Sequence, residues 1–399
     1  MTITQLRARW WVLLARSRFR REDYVGALSC CRRILDLDPN HVWALANVGN
    51  CLDRQGLYNE AIAFYDRALQ NRPDYAYVHA RLGLIFRSLR RYQESVDSLN
   101  RAFRINPNLR KSAGFLLAFA SSVAHIGRID DAHAAYKEVT EFDLNNPGAF
   151  AGLGWTLLSC GKSEEAELPL RTAIRLDPNY ADAYDTLGRV LRAIGRDRES
   201  LPIWQRLVDL RPDDCEAHAS LGWALGGVGR YREAIRTLEN VLEKDPTFPV
   251  HYSIGLYHLH LKEYQAAIEA EERAISERPD ADAYCVIAAS LLEQGDPEHA
   301  ITACNQALDL DPSSYLALHN MGEAFLAMGQ PAQAVSCFEK ALEVSPATSE
   351  SRFQLGIAFL KLGKKLEAHN QCRLLRATDN GKADDLQSAI STSESIAAQ

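Results

Sequence analysis

Nine of the fifteen prolines in this 399-residue chain form a ladder: Pro39, Pro73, Pro107, Pro178, Pro212, Pro246, Pro279, Pro312 and Pro346. Seven of the eight intervals are 33 or 34 residues, and the remaining one, 71, is two periods plus three residues. Each rung follows Asp, Arg, Asn or Ser, and proline there stops a helix, because it lacks an N–H and disfavours helical geometry in the residue before it. Length alone would suggest two or three globular domains. A fixed period of this size replaces them with one array, in which each segment packs only on its neighbours.

Within one period, the pattern reads helix, turn, helix. In residues 42–75, Leu45, Val48, Gly49 and Leu52 fall on one helical face. Gly56 breaks that helix. Asn59 and Glu60 then offer a polar cap and a negative charge to the next helix start, and Ala61, Tyr65, Ala68 and Leu69 form a second apolar stripe. Neither helix can bury its stripe alone, so stacking of successive pairs makes the core.

These residues resemble the tetratricopeptide repeat. The resemblance rests on Leu82-Gly83, Leu153-Gly154, Leu187-Gly188, Leu221-Gly222 and Leu355-Gly356 in the first helices, and on the recurring alanines Ala27, Ala61, Ala132, Ala166, Ala234, Ala267, Ala300, Ala334 and Ala368 in the second. It implies an all-α fold, an α-solenoid wound as a right-handed superhelix of tandem helix-turn-helix units. The register is 8–41, 42–75, 76–109, 113–146, 147–180, 181–214, 215–247, 248–280, 281–314, 315–348 and 349–382, a continuous solenoid over 1–382. A tail at 383–399 is expected to hold a short capping helix over 384–390 and then to fray, and Thr4 is expected to cap the first helix. Arg110-Lys111-Ser112 interrupt the register, and Pro169 and Pro202 fall inside second helices, so a joint is expected within 110–205.

Composition narrows the function classes. At 47% hydrophobic and 24% charged, the chain is ordinary folded material, and no run of 18 apolar residues is present. Trp10–Ala15 is flanked by arginines rather than a cleavage site, so the mature chain is expected to start near Met1 and to be cytoplasmic. The nine cysteines include no Cys-x-x-Cys pair and read as reduced, mostly buried thiols. The net charge of −7 is unevenly spread. Residues 1–111 hold 19 Lys+Arg against 10 Asp+Glu, and the remainder 26 against 42. An anionic partner for the N-terminal third follows from that asymmetry.

In the resembled family, positions 2, 5, 9, 12 and 13 of each unit face a concave groove, with position 6 at its border. Carried over, they give Arg9, Arg16, Phe19 and Arg20 in unit one, Trp43, Asn47, Asn50 and Arg54 in unit two, and Tyr77, Arg81 and Arg87 in unit three. Farther along they give Trp155 and Trp223. Arginine forks bind carboxylate or phosphate, and aromatic rings supply rigid contact area, so an extended acidic peptide or a C-terminal carboxylate suits this surface. The carboxylate clamp of some chaperone adaptors is matched only at Asn47 and Arg81, since Val12, Arg16 and Tyr77 occupy its other places. An asparagine ladder at position 6 is reduced to Asn47 and Asn320. The groove turns acidic at Asp182, Asp185, Glu216, Asp282, Glu293, Glu323 and Glu350, where a basic partner or the N-terminal arm of a second copy could dock.

No catalytic or cofactor constellation stands out. Gly-x-Gly-x-x-Gly, Gly-x-x-x-x-Gly-Lys and Gly-x-Ser-x-Gly motifs are absent. His251, His258 and His260 lack a convergent ligand set, and the acid pairs Asp130-Asp131, Glu164-Glu165 and Glu271-Glu272 read as solvated helix surface. With nearly every residue used by repeats, the expectation is a non-enzymatic scaffold without cofactor or metal. Two alternatives are a regulatory or targeting subunit of a separate enzyme, such as a glycosyltransferase or protease, and binding of nucleic acid or an anionic membrane by the arginine-rich third. Bulk negative charge and the absence of a Lys/Arg run argue against the last.

Overall fold

The computed structural model describes residues 3–397. Among them, 23 α-helices and one short 3-10 helix succeed one another, with no strand and no helix long and apolar enough to cross a membrane. The first 22 α-helices pair as first and second helices of eleven repeats, from Ile3–Arg20 with Tyr24–Leu37 to Ser349–Lys361 with Lys365–Leu375. They fall into two compact blocks, one ending at Leu210 and the other beginning at Arg211. The first block holds repeats one to six. The second holds repeats seven to eleven and a last helix.

Helix ends follow local chemistry. Asp23 accepts the N–H of Gly26, Asp214 those of Glu216 and Ala217, and Ser314 that of Ala317. Two expected caps differ. The first helix already includes Ile3 and Thr4, so Thr4 is inside it. Asn59 lies one residue within Tyr58–Asn71, whose flanking Leu57 offers no side-chain cap, although Glu60 does place its charge in the first turn. The turn inside most repeats requires a left-handed residue, supplied by Gly56, Gly127, Gly161, Gly195, Gly229, Gly295, Gly329 and Gly363 at φ of 71–81°. Glu22, Arg90 and Lys262 hold the same conformation in repeats one, three and eight at the cost of Cβ strain.

The helices of a repeat approach closely at one recurrent wedge. A glycine on the first helix faces the side chain sixteen residues later: Gly49 meets Tyr65, Gly83 Leu99, Gly154 Leu170, Gly188 Trp204, Gly222 Leu238 and Gly322 Phe338. A Cβ on any of these glycines would lie 2.4–2.7 Å from the facing side chain. Those knobs are fully buried and tie each pair together. Repeat eight breaks the pattern, because Glu271 faces Gly255. This corrects the expectation that the 271–272 acid pair is solvated: Glu271 is wholly buried, neither carboxyl oxygen has a hydrogen-bond partner, and burial, followed by Asp280 and Asp282, pushes its carboxyl up to about 9. Helical phase explains it, since position 24 of the repeat points inward whatever residue occupies it.

The three-residue insertion forms the 3-10 helix Pro107–Lys111, capped by Asn106. There Arg110 pairs with Glu138 and lies 5.5 Å from the Phe103 ring centroid. Pro169 and Pro202 sit within the helices Ser163–Leu176 and Asp197–Leu210, which run on past them. The last helix is longer than the expected 384–390. It spans Asn380–Ala397 and buries Ala383, Leu386 and Ile390, with Leu386 against Gly356, where the repeat's own residue is the small Cys372. All nine cysteines are free thiols; seven are buried, and burial pushes Cys31 up to about 12 and Cys51 to about 11.

Candidate functional site

The first helices of repeats one to three bring six of the thirteen expected residues around one cavity of about 260 Å³: Phe19, Asn47, Asn50, Arg54, Tyr77 and Arg81. Tyr24 completes its wall. The polar floor is wired in series. Tyr65 donates its hydroxyl to Asn50 Oδ1 at 2.6 Å, Asn50 Nδ2 donates to Asn47 Oδ1 at 3.4 Å, and Asn47 Nδ2 donates to the Trp43 carbonyl at 2.7 Å. Each amide nitrogen still has a second N–H after these bonds. Wedge and floor are therefore coupled, because the Tyr65 ring that packs on Gly49 also orients Asn50.

Charge in the cavity is partly compensated. Arg81 forms an ion pair with Asp53, both largely buried. Burial opposes the charge on Arg81, but Asp53 and then Tyr65 outweigh it and hold the guanidinium above its ordinary value. Arg54 lies over the Tyr24 ring at 4.4 Å, which presents its guanidinium flat on an aromatic face. The cavity wall thus carries two guanidinium groups, one of them already paired with Asp53, two oriented amides and three aromatic rings.

The other expected residues do not converge here. Arg16 stacks on Trp43 at 5.6 Å, and neither lines the cavity. Arg9, Arg20 and Arg87 are exposed and also lie off its wall. Trp155 lines a second, larger cavity, and Trp223, in the second block, donates its indole N–H to Ser253 at 3.0 Å. Asn320 is buried and donates to the Cys285 carbonyl, so it ties neighbouring repeats together rather than bordering a groove. Tyr24 was missed because it is a second-helix residue, outside the positions carried over from the family pattern. The three clustered histidines have separate partners: His251 contacts Glu277 at 3.3 Å, His258 contacts Glu263 at 2.8 Å, and His260 stacks on Tyr231. Each of the first two therefore has its own carboxylate, and the three rings share no partner. Among the described residues, no group of three metal-ligating side chains converges.

Family models of the tetratricopeptide repeat match residues 18–85, 76–109, 117–181, 220–283 and 291–350. A stretch of 138 residues, 34% of this chain, is 25% identical to a protein described as a probable UDP-N-acetylglucosamine–peptide N-acetylglucosaminyltransferase SPINDLY from Hordeum vulgare, and it spans only 15% of that protein's length. Among solved structures, the chain is similar to one of the APC/C hetero-tetramer Cut9-Hcn1, at 13% identity and a TM-score of 0.52, over 98% of this chain and 96% of that one. It is also similar to a tetratricopeptide repeat protein from Parabacteroides merdae, at 17% identity and a TM-score of 0.52, over 64% and 98%. Those two likenesses concern the fold alone. With family matches in both blocks that together span well over half of the sequence, the chain belongs to the tetratricopeptide repeat family.

Proposed function

We propose that this protein is a non-enzymatic interaction scaffold, and that the cavity of repeats one to three holds an extended partner segment bearing a carboxylate. One observation carries this reading: Asn47, Asn50, Arg54 and Arg81 converge beside Phe19, Tyr24 and Tyr77. Amide N–H groups suit a peptide carbonyl, the guanidinium groups suit a carboxylate, and the rings suit an apolar side chain beside it. Pairing of Arg81 with Asp53 leaves Arg54 as the principal charge for the ligand. Affinity capture with the full chain, repeated with Arg54→Ala/Tyr77→Ala, tests the site. Loss of captured partners that raised salt also releases supports it, and an unchanged partner set contradicts it.

A second reading has one specific support, the likeness to the probable SPINDLY transferase. On it, the array is a targeting segment that presents a protein to a separate glycosyltransferase chain. Copurification of transferase activity with the full chain would favour this reading, and its absence from captured complexes would count against it.

A further inference from the structure

The second cavity, about 390 Å³, lies between repeats four and six, all in the first block. Its origin is legible in repeat five. Where repeats two and three project Trp43 and Tyr77 at position 2, repeat five has Gly148, with Ala151 and Gly152 at positions 5 and 6. Gly152 has no room for a side chain, since a Cβ there would lie 2.3 Å from the Tyr136 ring. Three small residues thus open a gap in the row of first helices, and aromatic residues wall it: Tyr136, Trp155 and Tyr180. The volume falls within the range of about 300–1,000 Å³ typical of small-ligand sites.

Acid lines the same gap. Asp182 and Asp185, three residues apart on the helix Ala181–Ala193, face it from one side. Asp185 accepts from exposed Arg189 at 3.2 Å, and a carboxylate offers about four acceptor sites in all. Tyr136 and Tyr180 are half-buried phenols. Burial pushes Tyr136 up to about 12, with Tyr180 adding to the effect and Arg87 opposing it, so both stay neutral, electron-rich rings. Arg87 does not belong to the wall.

Resting on the reading of the chain as a peptide-binding array, we propose that this cavity receives an arginine side chain of an extended, basic partner segment. The guanidinium would stack on the Trp155 and tyrosine faces and fork to Asp182 and Asp185. Aromatic faces and carboxylates in one concavity favour a cation over an anion or a plain alkyl group. A planar guanidinium uses both features at once, whereas an ammonium is a point charge. The site is opposite in preference to the cavity of repeats one to three.

The test is titration of the full chain with dye-labelled, end-blocked Gly/Ser peptides that differ only at a central Arg, Lys, Leu or Glu, read by fluorescence anisotropy. A further arm uses an acidic peptide with a free C-terminus. The Arg peptide should bind tightest, and Asp182→Asn/Asp185→Asn and Trp155→Ala should each weaken it by about tenfold or more. Arg54→Ala/Tyr77→Ala should leave it unchanged. Ala151→Leu, which fills the gap without removing a charge, should also weaken it, and circular dichroism confirms that each variant is folded. Equal binding of the Arg and Leu peptides, or indifference to all three cavity variants, overturns the proposal. If only the acidic peptide binds, this proposal falls and the scaffold reading stands. If neither peptide binds, both fall.

Discussion

The two blocks share one period but put their polar chemistry in different places. In the first, the buried polar side chains are mostly hydroxyls turned back on a neighbouring carbonyl. Ser95 donates to Gly83, Thr186 to Asp182 and Ser200 to Asp197, and the amides, guanidinium groups and carboxylates line two cavities instead. The second block takes titratable and amide groups into its core. Glu271 is buried without a partner, His319 meets the Ser351 hydroxyl at 2.8 Å, and Asn320 bonds to the Cys285 carbonyl. The repeat fixes where a side chain points, and which residue stands there decides whether the position serves recognition or carries a pH-dependent cost.

Replacing Glu271 gives the largest expected effect. Its folded carboxyl titrates far above an unfolded glutamate, so the folded state keeps a proton that the unfolded state releases. Its contribution to stability is therefore fully present below about pH 4.5 and is lost as pH rises toward about 9. Glu271→Leu, which installs the residue found at positions 99, 170 and 238, should stabilise the second block by roughly 3 kcal/mol at pH 7. Denaturant melts from pH 5 to 9 check it. The wild-type midpoint should fall with pH more steeply than that of the variant, and parallel curves would place the carboxyl in water.

Next comes the wedge. Gly188→Ala should destabilise the first block by about 2 kcal/mol, because a Cβ 2.5 Å from the fully buried Trp204 ring cannot be accommodated without moving it. Gly255→Ala should cost less, because there the facing atoms are the end of a flexible carboxyl side chain. Equal midpoint shifts would erase this distinction between the blocks. Asp53→Asn should destabilise by about 1–2 kcal/mol, since it leaves Arg81 without its counter-charge in a largely buried place. It should also tighten binding of an acidic peptide to the first cavity, measured by the same anisotropy titration. Lys262→Gly should be the smallest, a gain of about 1 kcal/mol in thermal melts, by relieving a left-handed lysine where eight other repeats use glycine.

Local features were legible from the residues. Prolines, Leu-Gly pairs and helix-breaking glycines act within a few positions, so the succession of paired helices follows from the sequence alone. Six of the seven residues lining the first cavity were legible for the same reason, because Phe19, Asn47, Asn50, Arg54, Tyr77 and Arg81 sit on first helices at positions the family pattern supplies. What stayed hidden depends on neighbours. Tyr24, Tyr136 and Tyr180 lie outside that pattern and reach their cavities only across a repeat boundary. Glu271 looks like surface in sequence because it has an acidic neighbour, and only the phase of its helix turns it inward. Gly148, Ala151 and Gly152 did carry a signal, small residues at two groove positions and one bordering position, which is read only against the bulk around it.

The most direct measurement mixes two differently labelled probes, an acidic peptide with a free C-terminus and an end-blocked arginine peptide, with the full chain and titrates both together. The account predicts simultaneous binding without competition. Arg54→Ala/Tyr77→Ala should abolish only the first, Asp182→Asn/Asp185→Asn only the second, and Glu271→Leu neither. Mutual displacement of the two probes, or loss of both on changing one cavity, would contradict it.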